Sequence, residues 1–495
     1  MGVPPISDAT LPIQAAEPAR LSEDALAVAI GLGVFALALM SLFGADALGW
    51  VATTTVWTDP TVALTTASKA YADLDGLGAL VLTYLALTAV LSAAAYALGD
   101  DVRTFAIRFT VVFAIAYGAW FLGSWAYLAA VTPADQAKFG VSWSLKLTNE
   151  GGYIVALIAG LVIANVFPTF AEWMKSAIRP ELYIKIAIVI LGAFIAVTMA
   201  GKLTLASSLM LRGLAAIVEA YLIYWPVVYL IARKGFGFSR EWSAPLASGV
   251  SICGVAAAIA TGGAIRARPQ VPVLVSSLVV VFAVVEVLIL PVIAQTFMSH
   301  EPLVAAAWMG LAVKTDGAAV AAGGITQSLI QAKAAAEGID YQPGWMLSVT
   351  ATVKVFIDVF IGVWAFILAY IWTNHVNPRP GAPKAKLAEI WERFPKFILG
   401  FVATFLIALA LALGTDAGTS GKLATAIGEA NIWRVIFFVL TFFSIGVLSD
   451  FRRLWQDGLG KLAAVYLVSL FGFVIWVGFV ISWLFFAGIK PPLAS

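Results

Sequence analysis

Charged residues are scarce in this sequence, and so are cysteine and histidine. Asp, Glu, Lys and Arg make up 12% of the 495 residues, the formal net charge is +2, and there are one cysteine and two histidines. So small a charge, without a basic face, excludes nucleic acid as a partner. A single cysteine, Cys253, excludes an internal disulfide, and His300 and His375 alone do not favour a multi-histidine site. We therefore predict no metal and no cofactor.

Apolar residues dominate instead. They make up 61% of the chain, and the mean hydropathy is +0.95. Apolar runs of about 20 residues, the length that crosses a bilayer as a helix, recur along most of the sequence. The sequence therefore predicts an all-α polytopic protein of the cell membrane with about thirteen transmembrane helices. The predicted spans are 25–44, 76–98, 104–130, 150–168, 181–201, 205–232, 243–264, 271–296, 302–325, 345–373, 392–414, 431–449 and 461–488.

The charge distribution predicts the orientation. Lys and Arg cluster in 175–185, 233–240, 379–396 and 452–461, which fall on one side of the predicted spans. The positive-inside rule then places the N-terminus in the cytoplasm and the C-terminus outside. The predicted organisation is a disordered cytoplasmic tail, a three-helix addition that serves dimerisation or as a scaffold, and two core repeats, with bounds of 1–23, 24–148, 149–300 and 301–490.

The last ten predicted spans divide into two blocks of five, and an odd number per block makes the second block enter the membrane from the opposite side. That is the geometry of an inverted repeat, in which interrupted helices at matching places mark a transporter's site. The fourth span of the first block contains "SGVSICGVAAAIATGGAIRARP", which starts at Ser248. The fourth span of the second block has a weak point at 444–446. We predict that both helices are broken and that they cross.

The stretch around Cys253 resembles the signature of a family of integral membrane proteins named for sulfate export. Ser251, Ile252, Cys253 and Gly254 fill its Ser-Ile-Cys-Gly core, and Thr261 matches a threonine further on. Weaker likenesses follow in the family's order, at 154–168, 183–197 and 349–364, and the resemblance covers about residues 150–490. It implies a fold like that of sodium/proton antiporters and bile-acid symporters, with five-helix inverted repeats, and a sulfur oxyanion as substrate.

The chain departs from that family at its polar centre. Lys314 replaces the family's histidine, Thr315 its glutamate and Ala318 its glutamine. The arginine that the family has after Lys354 is missing, and Asp358 lies one turn further on. The departures leave the substrate and the coupling ion open.

Charges inside predicted spans are candidates for function, because a charge near the bilayer centre costs about 2.5 kcal/mol or more. Lys314 and Asp316 lie among glycines in the ninth predicted span. Lys354 and Asp358 are four residues apart and so share one helix face. The alternative interpretation of the second pair is a structural ion pair that holds helices together. The predicted substrate-binding residues are Ser251, Cys253, Gly254, Thr261, Lys314, Thr315, Asp316, Ser444 and Gly446. The predicted coupling residues are Asp316, Lys354 and Asp358.

The sequence thus predicts a secondary active transporter of a small anion, coupled to protons or sodium ions and working as a monomer or homodimer in the bilayer. Half-helix N-termini and Lys314 are the predicted anion ligands. The first alternative is a cation/proton antiporter that uses Asp316, Asp358 or Asp450. A membrane-embedded enzyme and a sensor without flux are further alternatives, although no nucleotide-binding or catalytic motif favours an enzyme.

Overall fold

A computed structural model describes residues 21–130, 133–145, 151–268, 270–376, 387–450 and 460–494. Most of the predicted tail, residues 1–20, lies outside these ranges. The principal helices are α1 (Glu23–Leu39), α2 (Gly76–Ala97), α3 (Val102–Gly123), α4 (Gly151–Val166), α5 (Pro168–Met174), α6 (Pro180–Ala200), α7 (Leu203–Gly235), α8 (Arg240–Ser251), α9 (Ala256–Ala264), α10 (Gln270–Phe297), α11 (Pro302–Ala312), α12 (Asp316–Ala336), α13 (Trp345–Val376), α14 (Phe397–Gly414), α15 (Ala417–Leu448) and α16 (Gly460–Phe486). Short helices at Ala126–Ala129, Pro133–Lys138 and Ala388–Arg393 lie in connections.

The helices confirm the predicted class of an all-α polytopic membrane protein. Within the described ranges, 10 helices are long and apolar enough to cross a membrane. A bent pair, α4 with the helical segment 168–177, passes the same test with an angle of 117° between its parts. These elements match all the predicted spans except the seventh and the ninth, which are the interrupted segments described below. The number of crossings, the orientation and the inverted repeat stay predictions.

A small hairpin is the departure from the all-helical prediction. Strands β1 (Ala52–Thr54) and β2 (Leu64–Thr66) pair antiparallel in the connection between α1 and α2. The Ala52 N–H donates to Thr83 Oγ1 on α2 at 2.9 Å, which attaches the hairpin to that helix. Threonines favour the extended backbone, and a hairpin satisfies its own backbone groups where a helix ends.

Helix α6 forms the centre of the core. In the most apolar 18-residue stretch of α6, 83% of the residues are buried inside the protein, whereas the corresponding share in α2 is 28%. Helix α2 therefore leaves an apolar face outward, as expected where lipid is the solvent. Helices α1, α14 and α15 pack around α6, and α4 packs along α15. The first helix therefore packs directly on the region predicted as the core repeats.

Besides the bent pair, two further helical segments are interrupted within the described ranges. The first break lies between α8 and α9 at 252–255, inside the stretch predicted to be broken. The second break lies between α11 and α12 at 313–315, in the ninth predicted span. In the five-plus-five division this is the first segment of the second block rather than the fourth, so the two breaks do not occupy matching places.

The predicted break at 444–446 is wrong, because α15 runs through it without interruption. Glycine and serine in membrane helices also serve close packing, because small side chains let two backbones approach. A Cβ atom at Gly446 would overlap the backbone of Leu157 and Gly160, and one at Gly160 would overlap Gly446 in return. Ser449, just past the last residue of α15, donates back to the Ile445 carbonyl oxygen at 2.7 Å, four residues earlier. Gly446 therefore belongs to a close contact between α4 and α15, whereas the buried Ser444 hydroxyl has no hydrogen-bond partner among the described residues.

We expect Gly446→Leu to destabilise the protein by about 1–3 kcal/mol, because the added side chain forces α4 and α15 apart. The matched control is Gly428→Leu on the same helix, where nothing lies within 4 Å of the added Cβ. Thermal unfolding in mild detergent measures both variants. Equal unfolding temperatures for the two would contradict the close contact.

Candidate functional site

The two breaks meet inside the protein. The Gly254 N–H, in the first break, donates to the Lys314 carbonyl oxygen, in the second, at 2.6 Å. A Cβ atom at Gly254 would overlap Val279 of α10 and lie 3.2 Å from Thr315 Cγ2. Only glycine lets the two unwound backbones approach this closely. Two interrupted segments thus meet at their breaks, but the seventh segment meets the ninth and not the twelfth, so the predicted crossing of the seventh and twelfth segments is wrong.

Charged side chains compensate the half-helix ends at this crossing. The Lys354 ammonium group donates to the Ile252 carbonyl oxygen, at the C-terminal end of α8, at 2.6 Å. The Lys314 ammonium group donates to the Leu311 carbonyl oxygen, at the C-terminal end of α11. Asp316 is the first residue of α12, whose N-terminus is capped by Thr315 Oγ1. Each charge thus has the sign opposite to that of the helix end beside it.

Lys354 also lies between two aspartates. Its Nζ atom is 3.4 Å from Asp316 Oδ1 and 3.5 Å from Asp358 Oδ1, and all three side chains are at least 96% buried. One oxygen of Asp316 lies within 4.8 Å of one oxygen of Asp358, and two buried carboxyl groups this close share a proton more readily than they both ionise. We call Asp316, Lys354 and Asp358 the Asp-Lys-Asp cluster.

Cys253 borders the Asp-Lys-Asp cluster from the first break. Its thiol donates to Asp316 Oδ1 at 3.2 Å, and its sulfur lies within 4.8 Å of one oxygen from each aspartate. This set of atoms has the composition of a cation site, and Lys354 supplies a positive charge among them. The small, buried thiol fits the packing role expected for cysteine in a core.

A second buried cluster lies on the other side of the Lys314 backbone. The Lys314 N–H donates to Glu286 Oε2 at 3.1 Å, and the Tyr466 hydroxyl donates to Glu286 Oε1 at 2.8 Å. The Lys314 ammonium group lies 4.5 Å from the ring centroid of Tyr224. Glu219 completes this group, which we call the Lys314 cluster. Its tyrosines come from α7 and α16, and no motif in the sequence singles them out.

The other predicted site residues lie at or beyond the edge of the crossing. Ser251 ends α8, and its buried hydroxyl has no hydrogen-bond partner among the described residues. Thr261 lies on α9, where its hydroxyl is 2.6 Å from that of Ser248 and links the two half-helices. Asp450 lies past the end of α15, beside a small cavity of about 70 Å³ that Glu172 and Lys175 also line. The crossing therefore brings together Cys253, Gly254, Lys314, Thr315, Asp316, Lys354 and Asp358.

Residues 141–465 match the model of a protein family described as conserved hypothetical protein 698. A UPF0324 membrane protein of Nitrosomonas europaea is 40% identical over 476 residues, which are 95% of this chain and 97% of that protein. This chain belongs to the UPF0324 membrane protein family. A second UPF0324 membrane protein, from Rhodopirellula baltica, is 30% identical over 75% of this chain and 61% of that protein.

Both breaks, the Asp-Lys-Asp cluster and all of the Lys314 cluster except Tyr466 fall within residues 141–465 of the family match, and Tyr466 lies just beyond it. Helices α1 to α3 precede residue 141, but the alignment with the Nitrosomonas europaea relative leaves only 5% of this chain uncovered. The two proteins therefore share most of the N-terminal helices as well. Export of sulfate stays a prediction, because the relatives' names describe UPF0324 membrane proteins and state no substrate.

Proposed function

We propose that this UPF0324 membrane protein is a secondary active transporter that exchanges a cation for a proton at the Asp-Lys-Asp cluster. The observation that carries the proposal is an excess of buried carboxyl groups around the crossing. Asp316, Asp358, Glu219 and Glu286 outnumber Lys314 and Lys354, and all six are buried. Two ammonium groups can balance only two carboxylates, so the remaining carboxyl groups favour a proton or a positively charged ligand.

The exchange follows from the chemistry of the paired carboxyl groups. When Asp316 and Asp358 share a proton, their combined charge with Lys354 is zero. Release of that proton leaves two carboxylates, whose oxygens bind a small cation, and the reverse step returns the proton. The protonated cluster and the cation-bound cluster have the same net charge, so the free-energy cost of burying them is similar. In this proposal the protein moves ions and does not transform them chemically.

The crossed breaks supply the element that changes access. Unwound backbone is tolerated at membrane depth where it lines a site, and half-helices hinge at such breaks. Gly254 and Lys314 join the two breaks through one backbone hydrogen bond, so movement of one half-helix is transmitted to the other. Alternating access then exposes the Asp-Lys-Asp cluster to one side of the membrane at a time.

A small oxyanion such as sulfate is the second candidate substrate, and one observation favours it. The N-terminus of α9 has no side-chain cap, and the unpartnered hydroxyl of Ser251 lies buried at the same break. Free N–H groups at a helix N-terminus and a hydroxyl donor are the groups that bind oxyanions. In this alternative the proton or sodium ion drives anion transport.

The test is ion flux into proteoliposomes that contain the purified protein and a pH-sensitive dye. We expect Na⁺, K⁺ or Li⁺ to drive proton movement, and Asp358→Asn to lower this flux at least about tenfold, because an amide cannot exchange a proton. The control is Asp340→Asn, in an exposed connection after α12.

The same vesicles test the second candidate with sulfate, sulfite, bicarbonate and small organic acids, with and without a pH gradient. Anion uptake that is lost in Lys314→Ala, without cation-driven proton movement, would replace the cation proposal by the anion one. Flux of neither kind would contradict transport.

A further inference from the structure

Glu219 lies in an unusual turn of α7. The helix widens to π-helical geometry over Glu219–Tyr224, and Glu219 is the first residue of that turn. Such π-turns occur often at functional sites, because they redirect side chains that a regular helix would point elsewhere. The Glu219 side chain is fully buried, with a relative exposure of 0%.

Neither carboxyl oxygen of Glu219 has a hydrogen-bond partner among the described residues. The neighbouring donors are committed elsewhere. The Tyr224 hydroxyl donates to the Val474 carbonyl oxygen at 2.8 Å, and the Lys314 ammonium group donates to Leu311. Glu286, by contrast, accepts one hydrogen bond on each oxygen.

A bare, fully buried carboxylate is strongly disfavoured, whereas the neutral acid loses little on burial. Glu219 therefore holds a proton in this conformation. A Cβ atom at Gly478 of α16 would lie 2.7 Å from the Tyr224 hydroxyl and 3.5 Å from Glu219 Oε1, so the glycine lets α16 pack closely against both groups.

The groups around Glu219 decide what happens when the proton leaves. Tyr224 on the same turn and Lys314 from the second break are the titratable groups that act on it. Helix α13 packs on another face of α7, where Tyr221 donates to the Ile357 carbonyl oxygen at 2.7 Å next to Asp358. Helix α8 contributes Ser248, which bonds to Trp225, and α16 contributes no charged residue to this contact along Ile475–Phe486. Lys314 is thus the cation that stabilises an ionised Glu219.

We propose that Glu219 is a second proton-carrying site, separate from the Asp-Lys-Asp cluster, which releases its proton during each transport cycle. The inference rests on the proposed function. The Glu219 carboxylic acid becomes a carboxylate, the proton passes to water on the side that is open, and the Lys314 ammonium group balances the new charge. One turnover then moves one proton more than the Asp-Lys-Asp cluster alone would move.

The first measurement is the infrared spectrum of the purified protein. A protonated carboxyl group has a carbonyl stretching band at a higher frequency than the bands of a carboxylate or an amide. We expect Glu219→Gln to remove one such band at neutral pH while the protein stays folded, because glutamine keeps the shape of the neutral acid. An unchanged band pattern would overturn the proposal without any reference to transport.

The second measurement is the proton-to-cation ratio in proteoliposomes with the membrane potential held at zero. At an imposed difference of one pH unit, net flux stops at a certain ratio of cation concentrations across the membrane. Loss of one proton per cycle lowers that concentration ratio about tenfold. We expect this shift for Glu219→Gln and not for Glu429→Gln, a buried carboxyl group on α15 that has Asp46 as its neighbour.

Loss of the band with an unchanged ratio would overturn the proposal, because the proton would be resident and not transported. If the wild-type protein moves no ions, the proposed function fails, and the infrared band alone then decides whether Glu219 holds a proton.

Discussion

Gly254→Leu abolishes transport if the crossing of the two breaks is the moving part of this protein. The added side chain would overlap Val279 and press on Thr315, and it would push apart the backbones that the Gly254 to Lys314 hydrogen bond joins. Overpacking of this kind costs about 1–3 kcal/mol. Since the two half-helices have little room to yield, we expect ion flux in proteoliposomes to fall below detection.

The matched control for Gly254→Leu is Gly263→Leu in the following half-helix. Gly263 is exposed and has nothing within 4 Å of an added Cβ atom. Flux and thermal stability of this variant are expected to stay near those of the wild type, within about 0.5 kcal/mol. Normal flux in Gly254→Leu would exclude the crossing as the site of movement, whatever its effect on stability.

Lys354→Ala is expected to cause the largest loss of stability, about 3–5 kcal/mol, because its ammonium group is the only one among the described residues that touches both aspartates. The Ile252 carbonyl oxygen loses its donor at the same time. Denaturant unfolding in mild detergent measures the effect. The control is Lys333→Ala on α12, whose ammonium group makes only a long 3.4 Å contact with the Gln295 carbonyl oxygen.

A double variant separates the charge effect from lost packing. Lys354→Ala combined with Asp316→Asn has no net change in charge, and we expect it to recover a coupling energy of about 0.5–3 kcal/mol relative to the sum of the single variants. Additive effects, or a Lys354→Ala protein as stable as the wild type, would contradict the ion-pair arrangement of the Asp-Lys-Asp cluster.

The prediction of the second break shows where reasoning from residue types stops. Ser444 and Gly446 have the composition of a weak point, but α15 stays helical there because Gly446 packs against Gly160. The actual break has a local signal, because Thr315 precedes the helical residues of α12 and caps its N-terminus. Thr followed by Asp at the start of an alanine-rich run is an N-cap pattern.

The buried clusters were only partly accessible from the sequence. Lys354 and Asp358 are one turn apart, so helix geometry alone predicts their contact. Asp316 joins them from a different segment, and Tyr466 reaches Glu286 across 180 positions of chain. Glu219 is one of several intramembrane charges in the sequence, and its lack of a partner is visible only when every neighbouring donor has a position.

The sequence by itself determined that this is an all-α membrane protein, where most of its helices lie, and that the stretch around Cys253 is interrupted. These properties depend on composition and on local runs, because the bilayer requires about 20 apolar residues per span and backbone hydrogen bonds within each segment. Only the tertiary structure decided which segment crosses the first break and which charges share a cluster. Such pairings depend on contacts between residues far apart in the chain. A glycine in the sequence is compatible with a break and with a close helix contact alike, and only its neighbours in the structure show which of the two it serves.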